Sequence, residues 1–321
     1  MIKSPLKWVG GKARVMPQLL EHLPKADCLI EPFVGSGTVF MNTDYRRYVL
    51  CDSNPNLINF FIQLTGRPAD TIAACREVFN GGNGAEEFYK RRVEFNSLIQ
   101  KSDSDPDAAL LLAAYFLYLN RHTYNGLYRV NLKGEFNSPF GKYASPYFPE
   151  GEMRLFAEKA NDTKAVFVHS DFRDSIRDVM HLEHDAVIYC DPPYIPTSKT
   201  ANFTAYGKPF TVDDHRDLEA VLVVVNRQHG TRSVISNSDT PETREIYSSF
   251  NLHPLSVRRS VSAKSRDMAG EVIGVLRVCD GCGRAGGGCC PDCGPAMGDA
   301  TYAEMFLGVD PAKGFETQGA F

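Results

Sequence analysis

Apolar residues fall along the chain in short unbroken runs, separated by longer stretches with helical spacing. Ala186-Val187-Ile188-Tyr189-Cys190 is the clearest run and predicts a strand buried on both faces. Leu29 to Val34 predicts another. Gly35-Ser36-Gly37 follows as a tight turn into a helix from about Thr38. Tyr48 to Cys51 predicts a short strand closing on Asp52, and Ala165 to His169 one that ends in Ser170-Asp171-Phe172. Ser233 to Ser236, Leu252 to Val261 and Glu271 to Val278 complete the strands. The last two suggest a hairpin around Arg258, Arg259, Lys264 and Arg266. Residues 56 to 120 read as mostly helical, with Asp105 as a cap and Pro106 at the first position of a helix reaching about Asn120. Val212 to Gln228, capped by Thr211, and Glu242 to Ser249 predict further helices. Strands alternating with helices imply an α/β fold, a mostly parallel sheet with an antiparallel edge. Residues 66 to 160 form a helical insertion in it. Within the insertion, residues 121 to 149 change character to Asn, Gly, Tyr, Pro and basic side chains, as expected of a structured loop or hairpin.

Composition narrows the class. With 321 residues, 43% hydrophobic and 23% charged, the chain has the means for a large core. Its best apolar run, Ala108 to Leu119, is too short for a bilayer, and Lys3, Lys7 and Lys12 interrupt any secretory signal pattern. The expectation is a cytoplasmic, monomeric protein with no membrane association. The net charge of −4 does not advertise a polyanion binder, but residues 267 to 321 alone carry −5 and the rest +1. Of nine cysteines, Cys28, Cys51, Cys75 and Cys190 sit among apolar neighbours as core thiols.

The chemistry starts at Asp191-Pro192-Pro193-Tyr194, directly after the clearest strand. A carboxylate and a rigid turn carbonyl can both accept hydrogens from an exocyclic amine, and a tyrosine beyond them can stack on the ring that carries it. Methylating a nucleobase amine needs such help, because the nitrogen lone pair is delocalised into the ring. In Glu31-Pro32-Phe33-Val34-Gly35-Ser36-Gly37, bare backbone stands at a strand end before a helix N-terminus, which favours a carboxylate. Asp52 ends the neighbouring strand, where an acid commonly accepts ribose hydroxyls; otherwise it would be a helix cap before Pro55. A ribose and a carboxylate without phosphate describe S-adenosylmethionine. Phe40 stands where a dinucleotide fingerprint needs its third glycine, which disfavours a nicotinamide enzyme. Lys7-Trp8-Val9-Gly10-Gly11-Lys12 reads as a loop at a cofactor edge or facing nucleic acid.

Taken in order, these stretches resemble the Dam-type DNA adenine methyltransferases. The resemblance runs over residues 5 to 278. It includes Leu6 to Lys12, Glu31 to Phe40, Leu117 to Arg121, Tyr124-Asn125-Gly126-Leu127, Gly134 to Asn137, Pro139-Phe140-Gly141, Asp191 to Tyr194, Thr200 to Tyr206 and Val257 to Ser260. It implies an S-adenosylmethionine-dependent, Rossmann-like methyltransferase fold with a helical DNA-recognition insertion, acting on double-stranded DNA at GATC. It implies S-adenosylmethionine held by Trp8, Lys12, Glu31, Phe33, Gly35, Ser36, Gly37, Asp52, Asp171 and Phe172. It implies an extruded adenine met by Asp191, the Pro192 carbonyl and Tyr194, and DNA contacts from Lys7, Asn125, Leu127, Arg129, Pro139 and Tyr143. The domains expected are 1–65 and 161–278 for the two halves of the catalytic unit, 66–160 for target recognition, and 279–321 for an added tail. An amino-methyltransferase on another nucleic-acid target, or a DNA binder without catalysis, are the rival readings. The former more often resembles Ser-Pro-Pro-Tyr for cytosine; the latter does not need Asp52 and Asp191.

The chain departs from that family after Val278. Cys279-x-x-Cys282 and Cys290-x-x-Cys293, each followed by glycine, have the spacing of a four-thiolate structural zinc site, with Cys289 as a spare or competing ligand. The acidic surroundings point this module toward a protein partner rather than DNA.

Overall fold

The structure is a computed structural model, and it describes residues 1–179, 185–195, 209–257 and 269–278. Seven strands form one sheet: β1 Cys28–Glu31, β2 Arg47–Asp52, β3 Val166–His169, β4 Ala186–Cys190, β5 Arg232–Ser238, β6 Phe250–Val257 and β7 Ala269–Leu276. Their order is β3-β2-β1-β4-β5-β7-β6, parallel from β3 through β5. β7 enters antiparallel between β5 and β6. The helices among the described residues are α1 Met16–His22, α2 Thr38–Asn42, α3 Pro55–Gly66, α4 Pro68–Asn80, α5 Ala85–Leu98, α6 Pro106–His122, α7 Glu150–Asp162, α8 Phe172–Val179, α9 Val212–His229 and α10 Pro241–Ile246.

Burial explains the sheet. Every residue of β1 and β4 is buried, as central parallel strands covered on both faces must be. Side chains alternate between two cores with the period of a strand. Leu29, Val187 and Tyr189 join the α2–α7 side, whereas Ile30, Ile188 and Cys190 join α8, α9 and α10. The insertion helices do not form a separate core. Leu112, Leu117 and Phe156 pack in the same cluster as Leu29 and Val187. Cys28, Cys51, Cys75 and Cys190 are all buried free thiols.

Caps set the helix boundaries. Asp105 accepts from the N–H groups of Asp107 and Ala108 at the start of α6. Thr211 and Asp214 close a reciprocal box at the start of α9. Asn54, not Asp52, caps α3, accepting from Asn56 and Leu57. That leaves Asp52 available at the end of β2.

Several expected boundaries move. β1 stops at Glu31 rather than Val34, because Pro32 has no N–H to continue the ladder. α10 ends at Ile246, three residues early, and β6 begins at Phe250. α1 and α8 were not expected from the pattern: both are short, and proline sits in the first turn of α1. Of the two forms expected for 121–149, the structured loop is the one found, with a 3-10 turn at Tyr124–Gly126 and two isolated bridges, Thr123 to Phe140 and Val130 to Phe136. The stretch Thr200 to Tyr206, the basic residues between β6 and β7, and the Cys279, Cys282, Cys290, Cys293 cluster lie outside the described residues. Among those described, no helix is long and apolar enough to cross a membrane.

Candidate active site

The chain builds β1, β2 and β3 outward in one direction, then returns to add β4 and β5 on the other side of β1. The connections on the two sides leave a crevice beyond the carboxyl ends of β1 and β4, the usual ligand position in such sheets. Three acids stand at that edge: Glu31 ends β1, Asp52 ends β2 and Asp191 follows β4.

Asp52 is buried, and its Oδ2 accepts the Gly35 N–H at 3.1 Å while Oδ1 accepts the Asn54 N–H at 3.0 Å. Burial raises its pKa to about 6, with the N–H donors of Gly35, Asn54 and Ser53 opposing the rise. Glu31 is buried beside it, with Oε1 lacking a hydrogen-bond partner among the described residues. Its pKa is driven well up, first by burial and then by the charge of Asp191. The turn between them holds Gly35 at φ +50°, where a Cβ would lie 3.2 Å from the Trp8 indole. Ser36 hydrogen-bonds Thr38 at 2.8 Å, and Gly37 opens α2. Phe33, beyond Pro32, stacks on Phe172 at 5.6 Å and meets Phe210 edge-on at 5.7 Å.

Across the crevice, Lys12 Nζ lies 2.6 Å from Asp191 Oδ2 and 2.9 Å from the Gly10 carbonyl. It also lies 4.9 Å from the centre of the Tyr194 ring. Asp191 Oδ1 is buried without a partner among the described residues. Burial raises the Asp191 pKa and Glu271 adds to it, while Lys12 pulls it back. The Tyr194 hydroxyl donates to Glu271 at 3.4 Å. Pro192 is buried, and the segment is pinned beyond it: Asn237 Oδ1 accepts the Ile195 N–H at 3.1 Å, and the Ser238 hydroxyl donates to the Ile195 carbonyl at 2.6 Å.

The insertion presents a second group of predicted residues. Asn120, on α6, grips the Lys7 backbone in both directions: Oδ1 accepts its N–H at 2.9 Å, and Nδ2 donates to its carbonyl at 2.7 Å. Lys7 Nζ then lies 4.0 Å above the Tyr143 ring, whose hydroxyl accepts the Asn125 N–H at 3.0 Å. Gly126 has φ +69°, and a Cβ there would come within 2.4 Å of the Lys7 carbonyl oxygen. The structure thus brings Lys7, Asn125 and Tyr143 together. Arg129 and Pro139 are exposed on the same loop, and Leu127 is half-buried. The Arg129 Nε donates to Asn137 Oδ1 at 2.8 Å.

Not every predicted residue faces the crevice with a free hand. Asp171 is exposed, and its Oδ1 caps α8 by accepting the Arg173 N–H at 2.9 Å. Sequence reasoning missed Phe210, Asn237 and Glu271. Asn237 carried a signal, as a polar residue closing an apolar strand. Glu271 carried none, because its place depends on β7 inserting beside β5, where it faces Ser238.

Chemically, this edge offers acceptors for a ribose and for a cation, aromatic walls for a flat ring, and a carboxylate with one open oxygen beside a tyrosine. Residues 8–261 match the family described as D12 class N6 adenine-specific DNA methyltransferase. The chain is 45% identical over 276 residues to a DNA adenine methylase of Escherichia coli strain K12, covering 85% of this chain and 94% of that one. It is 43% identical over 276 residues to a DNA adenine methylase of Serratia marcescens, covering 85% and 97%. With a DNA adenine methylase of Vibrio cholerae serotype O1 it shares 42% over 258 residues, covering 80% and 89%.

Proposed function

The chain belongs to the D12 class of N6 adenine-specific DNA methyltransferases, and on that premise we propose that it moves a methyl group from S-adenosylmethionine to an adenine turned out of duplex GATC. The observation that carries this is Asp191. It is a half-buried carboxylate whose Oδ1 is itself buried and unpartnered among the described residues, directly after a central strand and three residues before Tyr194.

The residues at the β1–β2 edge fit S-adenosylmethionine. Asp52 has the place and acceptors for the ribose hydroxyls. The unpartnered Oε1 of buried Glu31 suits an ammonium, which would also draw out its proton. The Gly35–Trp8 cradle admits backbone approach, with Ser36 and Gly37 at the opening of α2. Phe33 and Phe172 offer faces for an adenine ring. When bound, the cofactor supplies an electrophilic methyl on a sulfonium.

A base inside the stack cannot present its amine to that methyl, so it must be extruded. Tyr194 stacks on the extruded ring. Asp191 and the Pro192 carbonyl accept the two amine hydrogens, which pulls the nitrogen toward tetrahedral geometry and aims its lone pair along the line of displacement. The amine nitrogen would take up the methyl that the sulfonium gives up, and the proton it sheds would pass toward Asp191. Rate comes from alignment and placed charge, with no covalent enzyme intermediate.

In this reading 1–65 and 161–278 carry catalysis and 66–160 reads DNA through Asn125, Leu127, Arg129, Pro139 and Tyr143, joined by Lys7 from the first segment. The convergence of Lys7, Asn125 and Tyr143 on one surface supports it. For the tail 279–321, the spacing of Cys279, Cys282, Cys290 and Cys293 supports one structural zinc and a protein-facing role. The protein is a monomer in this reading and acts in the cytoplasm.

The test is long-read methylation mapping of plasmid from cells expressing the protein. N6-methyladenine at GATC is expected. Methylation in another context would overturn the GATC reading. An Asp191→Ala protein that still methylates would overturn the mechanism.

A further inference from the structure

We propose that Lys12 is a positioning residue for methyl transfer: its ammonium pins Asp191 through Oδ2, leaving Oδ1 as the oxygen that accepts the target amine hydrogen. The proposal rests on Asp191 being the amine acceptor. It departs from the family resemblance, which places Lys12 among the cofactor ligands.

The geometry favours Asp191 over the cofactor edge. Lys12 opens a 3-10 turn, Lys12–Arg14, and is only 6% exposed. Its contacts among the described residues are Asp191 Oδ2 at 2.6 Å, the Gly10 carbonyl at 2.9 Å and the Tyr194 ring at 4.9 Å. None of these is an acid of the β1–β2 edge. The ammonium instead touches both side chains that would handle the target base.

The two oxygens of Asp191 are therefore unequal. Oδ2 is held by a buried charge-assisted contact, which fixes the rotamer. Oδ1 is buried with no partner among the described residues. A buried acceptor without a partner is costly in a free protein and is expected to serve a ligand. An amine hydrogen arriving at Oδ1 would relieve that cost at the moment the base enters.

The ammonium also sets the charge on Asp191. Around that carboxylate stand Glu31 from β1, Tyr189 and Cys190 from β4, Tyr194 from the following segment and Glu271 from β7. Burial and the charge of Glu271 favour the protonated form; Lys12 is the larger influence opposing them, and a hydrogen bond from Tyr194 adds to it. A protonated Asp191 would offer an O–H where an acceptor is needed, so without Lys12 the working form would be scarcer at neutral pH.

The loop that carries Lys12 is anchored just upstream of it at two adjacent residues. Asn120 of α6 holds the Lys7 backbone, and Trp8 packs over Gly35. A lysine on this loop thus reports the seating of both the recognition helix and the cofactor turn to the reacting carboxylate.

Lys12→Met, Lys12→Arg and Asp191→Asn test this in the full-length protein, by single-turnover methylation of a GATC duplex from pH 6 to 9 with S-adenosylmethionine affinity measured separately. Lys12→Met is expected to lower the saturated rate at neutral pH on the order of tenfold or more. Its acidic limb should move to higher pH, so that part of the loss is recovered at pH 9. Lys12→Arg should restore the limb in part, and cofactor Kd should change less than about threefold in either. Weakened cofactor binding with a normal saturated rate would make Lys12 a cofactor ligand and overturn the proposal. An equal loss at every pH without rescue by arginine would also overturn it. Should Lys12→Met fail to fold, Lys12→Gln takes its place in the same comparison. Turnover by Asp191→Asn would instead sink the amine-acceptor reading, which separates the two failures.

Discussion

The backbone N–H of Gly35 donates to the carboxylate of Asp52 at 3.1 Å, tying the turn after β1 to the end of β2. One contact joins the two elements of the proposed cofactor site, and it holds an acid whose pKa burial raises to about 6. S-adenosylmethionine affinity should therefore fall as the pH drops below about 6, where Asp52 takes up a proton, and level off above 7. Asp52→Asn should weaken binding by ~1.5–3 kcal/mol, the worth of a hydrogen bond to a charged group. The raised value has an opposite effect on the free protein. The unfolded chain releases this proton near 3.8 and the native state near 6, so stability should decline slightly as pH rises across that window. Calorimetric titration and thermal melts at pH 5, 6 and 7.5 would check both signs. A pH-independent Kd would remove Asp52 from the cofactor site.

Tyr194→Ala should reduce stabilisation of the extruded base by ~1–3 kcal/mol, the measured worth of one base–aromatic stack, whereas Tyr194→Phe should keep most of it. The stack is made by the ring; the hydroxyl is engaged with Glu271, at 3.4 Å, and with Asp191. Fluorescence of 2-aminopurine at the target position reports extrusion directly. Equal losses in Ala and Phe variants would show that the hydroxyl, and not the ring, matters.

The sequence announced the central strands, the turn at Gly35 and the cap at Asp105, because each depends on neighbours within a few residues. It also marked Asp191 and Asp52, which sit at strand ends where a carboxylate has few structural uses. It did not show that the Asn120 side chain clasps Lys7, since those residues are 113 apart and the Lys7 side of the contact is backbone, which no residue type announces. Nor did it show Lys12 against Asp191 or Glu271 beside Tyr194, because both depend on strand order. The extension of β1 to Val34 failed for a local reason: apolar character was given more weight than the missing N–H of Pro32. α8 is hard to see in the sequence because Asp171, a ligand residue by resemblance, is also the cap that starts it.

Gly126→Ala should destabilise the fold by ~2 kcal/mol or more, through strain at a left-handed residue and a clash with backbone. The added Cβ would meet the Lys7 carbonyl oxygen at 2.4 Å, which no side-chain rotation can relieve. DNA affinity should drop more than cofactor affinity, because the displaced partner is the loop that sets Lys7 over Tyr143. Gly134→Ala is the control: it shares a positive φ, +79°, but meets nothing within 4 Å. Thermal melts and separate DNA and cofactor titrations would check this. Equal effects of the two substitutions would show that strain alone, without the Lys7 contact, sets the cost.

Arg129→Ala should relax sequence choice more than it weakens DNA binding overall. An arginine reaching a guanine edge is worth ~1–3 kcal/mol of discrimination. In the free protein Asn137 holds the guanidinium, accepting from Nε at 2.8 Å and from Nη2, through its carbonyl, at 3.2 Å. That brace orients the fork before DNA arrives, so Asn137→Ala should show a weaker version of the same relaxation. Methylation rates on GATC and on its single-base variants give the measurement. A uniform loss on every sequence would make Arg129 a phosphate contact.

Truncation after Val278 should leave methylation intact while removing one zinc per chain. The topology supports the first part. β7 runs antiparallel to β5, so Glu271 lies at the catalytic edge and Leu276 at the opposite one. The N–H of Arg277 then bonds the Ser249 carbonyl, fixing the point where the chain leaves the sheet on the side away from Asp191. Four thiolates would also fill a tetrahedral site and leave no position for substrate. Elemental analysis of protein purified under reducing conditions, before and after truncation, tests the metal. Single-turnover methylation tests the enzyme. Absence of zinc from the full chain would defeat the metal reading. A folded truncation with no activity would show that residues beyond Val278 brace β7, and through Glu271 the Tyr194 hydroxyl.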